Sequence, residues 1–371
     1  MTKRSTFTRC TPGGASRGDL AGRPPGGSFN PGRRHPPKER AGRAAKLVVP
    51  MDRLLRTVAA TFAALLIGYL VQVRARNGSW AWDIDRGSAR LKRALVLYVT
   101  PVTLALSFWT LQLELWMLSL PVLGLAAQVL GGVLALGAAR WWRMAPAQAG
   151  SMFVCGLMSN LHSLGGLVTL LFFGEAGYAV GAVYRISEPA VMFGVGFPMA
   201  AAMAGRQGDR PGRRGDWIRR ILTDPYVLIP NLGLVTGIIL RALGIPRPPV
   251  LDAVNPVLIV GSSLLMVFAI GLTFRPGRVR DYVRPALAVA GIKFVALPLV
   301  MGLAAYALGY AGTGDGLAFK VVVTMAAMPV AFNALVPPAL YGLDLDLANS
   351  CWLLTTAGLL LMLPLLYLVL A

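Results

Sequence analysis

From Leu54 to the C-terminus the chain runs as long apolar stretches separated by short punctuation, and the stretches have the length of membrane helices. Crossing a hydrocarbon core of about 30 Å takes roughly 20 helical residues at about 1.5 Å each. That window predicts ten spans, near 54–72, 92–112, 115–138, 148–173, 177–204, 225–243, 254–274, 285–309, 317–340 and 347–370. The breaks between them carry turn-forming and helix-ending residues: Asn77-Gly78, Gly205 to Gly215, Pro246 to Pro249, Arg275-Pro276-Gly277 and Gly312 to Gly316. The pattern predicts an all-α membrane protein.

Two spans are interrupted at matching places. Span four contains Cys155-Gly156-Leu157-Met158-Ser159-Asn160-Leu161-His162-Ser163-Leu164-Gly165-Gly166, a run too small, polar and glycine-rich for an ordinary lipid-facing helix. Span nine contains Met328-Pro329-Val330-Ala331-Phe332-Asn333-Ala334-Leu335-Val336-Pro337-Pro338, with the same quality. Asn333 follows Asn160 by 173 residues, and the same offset carries spans one, three and five close to spans six, eight and ten. Five spans followed by five more must insert with opposite orientation, because five is odd. The expected fold is therefore ten transmembrane helices as two inverted five-helix repeats with crossed discontinuous helices, an arrangement used by secondary transporters. Residues 51–205 would form the first repeat, 206–224 a basic cytoplasmic loop, and 225–371 the second repeat. Broken helices survive in lipid only where protein, water or a guest satisfies the freed backbone. The plainer reading of the same residues is packing glycines and proline kinks.

Composition sharpens this picture. Of 371 residues, 56% are apolar and 14% charged, whereas a soluble domain carries about a quarter charged residues, so a cytosolic enzyme is excluded. The net charge of +20 is unevenly placed. The loops after spans one, three, five and seven collect basic residues, among them Arg74, Arg140, Arg206 and Arg280, while Glu114, Glu175, Asp252 and Asp315 fall on the other side. The excess of Lys and Arg marks the cytoplasmic side, which places both termini outside a cytoplasmic membrane. Arg outnumbering Lys by thirty to six hints at a GC-rich bacterium. Residues 1–50 hold eleven basic and two acidic residues among Gly and Pro and have almost nothing apolar to bury, so they read as a disordered basic extension. Carrying that charge across the membrane conflicts with the orientation, which favours a working start at Met51. The tail lacks interleaved aromatics, and nucleic acid is not expected as a partner. Cys10, Cys155 and Cys351 make no metal-binding spacing, no GxxxxGK[ST] loop offers ATP as a driver, and neither cofactor nor metal is expected. Nor is an enzyme: paired Asp, Ser with His, and HExxH are missing, and His162 and Ser163 as neighbours point to different helix faces.

Ionisable side chains within spans are costly, at least about 2.5 kcal/mol at the bilayer centre, and are functional candidates by default. Arg185 and Glu188 lie three apart and share a helix face, followed by Pro189, which permits a kink. Either Arg185 is a bidentate carboxylate clamp with Glu188 holding it or relaying a proton, or the two form a self-neutralised pair. His162 can bind a proton near neutral pH or donate to a carbonyl freed by the break. Lys293 lies about 12 Å into span eight, close enough for its stem to snorkel toward the cytoplasmic face. Trp80, Trp82, Trp141 and Trp142 read as interfacial anchors.

Several short segments, in this order, resemble the auxin efflux carrier family, which includes bacterial malate-type permeases and plant PIN-type carriers. They are Leu95-Val96-Leu97-Tyr98-Val99-Thr100-Pro101, Ser159-Asn160 with Phe173-Gly174-Glu175-Ala176-Gly177, Asp224-Pro225, Met325-Ala326-Ala327-Met328-Pro329 with Asn333, and Tyr341-Gly342-Leu343-Asp344 followed by Leu354-Thr355-Thr356. Where the family usually carries a proline after the span-four Asn, this chain has Gly165-Gly166-Leu167. The resemblance, over about residues 54–370, implies a scaffold and a mobile part that carry organic anions. It also implies a substrate site at the crossover of spans four and nine, through Asn160, Asn333 and Pro329, with Ser159 beside them. The expectation is a secondary carrier of a small carboxylate, malate- or auxin-like, working by alternating access. The anion would be held by half-helix ends, Asn160, Asn333 and Arg185, with His162 close by. Transport would be driven by protons through Glu188 or by membrane potential. The alternative is a cation/proton antiporter of the same sodium/proton antiporter-like fold. The partners expected are the organic anion and the lipid bilayer, with room for a homodimer.

Overall fold

Apolar runs bounded by Pro and Gly fold into helices, which a computed structural model describes for residues 51–77, 83–112, 114–205, 223–274, 279–312 and 314–370. The expected extension 1–50, most of the expected loop at 206–224, Trp80, Trp82, Arg275 and Arg278 lie outside the described residues. The helices are α1 (Met51–Asn77), α2 (Ile84–Thr110), α3 (Leu115–Trp141), α4 (Pro146–Leu157), α5 (Leu161–Met203), α6 (Pro225–Ala242), α7 (Val250–Gly271), α8 (Val279–Ala307), α9 (Leu317–Ala326), α10 (Val336–Tyr341) and α11 (Leu345–Leu370). Seven of them, α2, α3, α5, α6, α7, α8 and α11, are long and apolar enough to cross a membrane, and α1 and α9 contain shorter apolar helices. The protein is an all-helical, multi-pass membrane protein.

Local chemistry sets the helix ends. Pro146 and Pro225 stand at first-turn positions, where the missing N–H costs nothing, and the Asp224 carboxylate caps α6 by accepting from the Tyr226 N–H at 2.8 Å. α5 is bent into two legs at Gly174, whose φ of +69° and ψ of −163° belong to a region open only to glycine. Wide π turns interrupt α2 at Leu95–Val99, α5 at Leu161–Gly165 and Met192–Gly196, and α8 at Ile292–Ala296.

Packing follows two groups of helices. α6 lies along α2, and α7 along α1; α4 lies along α3, α11 along the first part of α8, and α9 along the last part of α8 and the first leg of α5. α3 and α4 approach each other closely. A Cβ on Gly156 would sit 2.3 Å from the Gly131 carbonyl oxygen and 2.4 Å from the Ala135 Cβ, so only a residue without one permits this spacing. The two groups meet through an ion-pair cluster at the turn within α5. Arg247, between α6 and α7, donates to Glu175 Oε2 at 2.7 Å, to Asp252 Oδ1 at 2.7 Å and to the Leu106 carbonyl at 2.9 Å. Burial disfavours the Arg247 charge, but hydrogen bonds and attraction from Glu175 and Asp252 outweigh it and hold the guanidinium more strongly protonated than usual.

Candidate functional site

Helix α4 stops at Leu157 and α9 at Ala326, and both chains continue as short extended segments. Met158 takes φ −94° and ψ 116°, a strand-like conformation, and Pro329 cannot donate to a helical ladder. The two segments then satisfy each other. The Asn160 N–H donates to the Pro329 carbonyl at 2.8 Å and the Ala331 N–H donates to the Met158 carbonyl at 3.0 Å, an antiparallel bridge between Ser159 and Val330. The Val330 N–H finds the Thr355 hydroxyl of α11 at 3.2 Å. Backbone groups freed by the breaks thus have partners where an orphan would cost several kcal/mol.

Beyond the bridge the chain turns back into helix on each side. Asn160 Oδ1 accepts from the Leu164 N–H at 3.3 Å and the Ser163 hydroxyl at 2.6 Å, capping the π turn that opens α5. With Oδ1 engaged, the amide's NH₂ end is the part left for a ligand. On the other side a 3₁₀ turn, Phe332–Leu335, leads into α10 and carries Asn333 with its side chain exposed.

A cavity of about 410 Å³ lies against the bridge, a volume in the range of small-molecule sites. Asn160, His162, Arg185, Glu188 and Asn333 all line it. Ser159 and Pro329 are not among its lining residues: Ser159 is 4% exposed, and Pro329 contributes its carbonyl to the bridge. Of the seven site residues expected, five face one space and two stand behind it.

The pairing expected between Arg185 and Glu188 is not what forms. Among the described residues no ion pair joins them; Arg185 instead hydrogen-bonds His162 Nδ1. A short 3₁₀ turn, Arg185–Ser187, keeps i and i+3 on one face, so the spacing read from sequence holds, and it is the Arg185 side chain that turns away to His162. His162 likewise does not donate to a freed carbonyl. Its Nε2 lies 3.3 Å from the Thr100 hydroxyl of α2, so the ring spans from α2 to α5.

Lys293 departs furthest from expectation. Rather than snorkelling, its side chain is fully buried and its Nζ donates to the Gly156 carbonyl at 2.6 Å and the Ser159 hydroxyl at 2.8 Å. Two lining residues were also missed. Lys92 lines the cavity, lies 4.3 Å from the Phe332 ring centroid and donates to the Thr273 hydroxyl at 3.3 Å. Asn231, beside Pro230 in the apolar run of α6, was the available signal for the other.

No protein-family model matches the chain. The chain is similar to a protein of Methanothermobacter thermautotrophicus strain Delta H that bears the name uncharacterized transporter, at 26% identity over 313 residues, covering 83% of this chain and 96% of that protein. Apolar helices and this similarity together support a membrane transporter.

Proposed function

We propose that the protein is a secondary carrier that moves a small carboxylate across the cytoplasmic membrane by alternating access, on ten spans arranged as two inverted five-helix repeats. Counting α4 with the first leg of α5 as one interrupted span, the second leg of α5 after Gly174 as another, and α9 with α10 as a third gives ten, and α6 begins 174 residues after α1. The auxin efflux carrier resemblance fits this count. The observation that carries the reading is the reciprocal bridge of two broken helices on the wall of a cavity that also holds Arg185, His162 and both asparagines.

In this reading the carboxylate is bound by the Arg185 guanidinium, the NH₂ end of Asn160 and the amide of Asn333, near the amide-rich opening of α5. Lys92 adds positive charge to the same cavity. Glu188, which shares the space without an ion-pair partner among the described residues, is the group that takes up and releases the coupling proton. Basic loops put the Lys92 and Asp224 end of the cavity on the cytoplasmic side.

The test is counterflow of labelled malate and other small carboxylates in proteoliposomes. Wild-type protein should exchange label, and Asn160→Ala combined with Asn333→Ala should abolish it; undiminished exchange in the double variant would remove the site assignment. The unpaired state of Glu188 favours one other reading, a cation/proton antiporter built on the same helices. A collapse of an imposed pH gradient on adding sodium, with no carboxylate present, would select that reading.

A further inference from the structure

Lys293 belongs to no part of the carboxylate site, yet it is one of the largest fully buried side chains in the protein. It sits on the π turn Ile292–Ala296 of α8, and both its acceptors belong to the break in span four: the Gly156 carbonyl in the last turn of α4 and the Ser159 hydroxyl just beyond. No carboxylate lies within ion-pair distance of it among the described residues. An amine buried without a counter-ion is costly unless something else supplies negative potential. The C-terminal end of a helix does so, because its carbonyls carry the negative pole of the helix dipole. Free carbonyls at the end of a half-helix are also the groups that bind coupling metal cations in carriers with broken helices.

We propose that the Lys293 ammonium is a built-in cation that takes the place of a coupling metal ion at the C-terminal end of the α4 half-helix, so that transport proceeds without sodium. It deepens the carrier reading and rests on it only for the consequence in transport. The ammonium occupies the positions on Gly156 and Ser159 that a metal ion would need, and its tether to α8 keeps it there through the cycle. Lys293 is then a positioning residue: it fixes the end of α4 and hence the bridge between Ser159 and Val330.

The experiment uses purified full-length protein in detergent and reads the melting midpoint. For the wild type, exchanging sodium chloride for an equal concentration of N-methylglucamine chloride should leave the midpoint unchanged; a saturable upward shift with sodium would overturn the proposal. Lys293→Ala removes a group equivalent to propylammonium. Its midpoint should fall by several degrees and be largely restored by propylammonium or sodium, but not by N-methylglucamine. Lys293→Arg should keep most of the wild-type midpoint. A Lys293→Met protein that melts with the wild type would show that the charge is not needed and would also overturn the proposal. Should neither neutral variant fold, the wild-type sodium titration still decides. These arms need no transported solute, so their failure leaves the carrier reading standing. Loss of wild-type carboxylate counterflow would remove that reading without touching them.

Discussion

Arg185 gives up its expected partner for His162, and this exchange defines the chemistry of the cavity. A guanidinium held by a ring nitrogen keeps its positive charge uncompensated for an incoming carboxylate, whereas one paired with Glu188 would already be neutralised. Replacing Arg185 by Lys keeps charge but loses the planar fork; losing one charge-assisted hydrogen bond, about 1.5 kcal/mol, weakens binding roughly tenfold. The expected outcome is a tenfold higher half-saturation concentration in carboxylate counterflow, and an unchanged value would remove Arg185 from the site. Glu188→Gln should leave exchange of carboxylate for carboxylate intact while abolishing its acceleration by an imposed pH gradient. Asn160, Asn333, Arg185, His162 and Glu188 were legible as candidates because polar groups in apolar runs are conspicuous, and all five line one cavity. Their partners were not legible. The Arg185 to His162 bond links residues 23 apart through a bend at Gly174, and Lys293 meets Gly156 across 137 residues. Spacing along one helix says nothing about either.

At the level of elements, the helices and their interruptions follow from Gly, Pro and Asn placement, and many of their ends were readable to within a few residues, although α2 starts at Ile84 rather than 92 and α8 at Val279 rather than 285. What joins the interruptions was not, because main-chain hydrogen bonds between distant segments leave no mark on side-chain pattern. The depth of Lys293 was misread for a related reason: snorkelling assumes an outward-facing position, while Lys293 is the buried residue of its π turn and Val295 of the same turn is exposed. The α3–α4 contact offers a sharp test of element packing. Gly156→Ala would drive a Cβ into the Gly131 carbonyl oxygen, backbone atoms that cannot rotate away. A destabilisation of about 3 kcal/mol is expected, at the upper end for overpacking, together with loss of the Lys293 contact. Denaturation of the purified variant in detergent measures it. Gly137, also on α3 but with open space where a Cβ would go, is the control and should tolerate Ala.

For the whole molecule, the α2–α6 and α1–α7 pairs are tied to the remaining helices by the Arg247 cluster, near the opposite end of α2 from Lys92. The Arg247 side chain is only 7% exposed and that of Glu175 16%, so removing one partner costs more than it would at a surface salt bridge. Arg247→Ala strands the Glu175 carboxylate and should lower stability by about 3 kcal/mol. The melting midpoint of Glu175→Gln should fall less, since no buried charge is left alone. Equal loss in both variants would show that the cluster acts through packing rather than charge. Charge bias along the loops was enough to foresee that Glu175 and Asp252 lie on one side, but not that a single arginine gathers them.

The bridge between Ser159 and Val330 has a consequence for how the protein is made. When the ribosome has produced residues up to 205, the Met158 carbonyl has no donor and the Asn160 N–H no acceptor to meet, because Pro329 and Ala331 have yet to be synthesised. The nascent first half must therefore wait in the bilayer with an unfinished seam, sheltered by water or by the insertion machinery. A chain terminated after residue 205 should be cleared by membrane proteases, and co-expressing residues 206–371 as a separate polypeptide should rescue it.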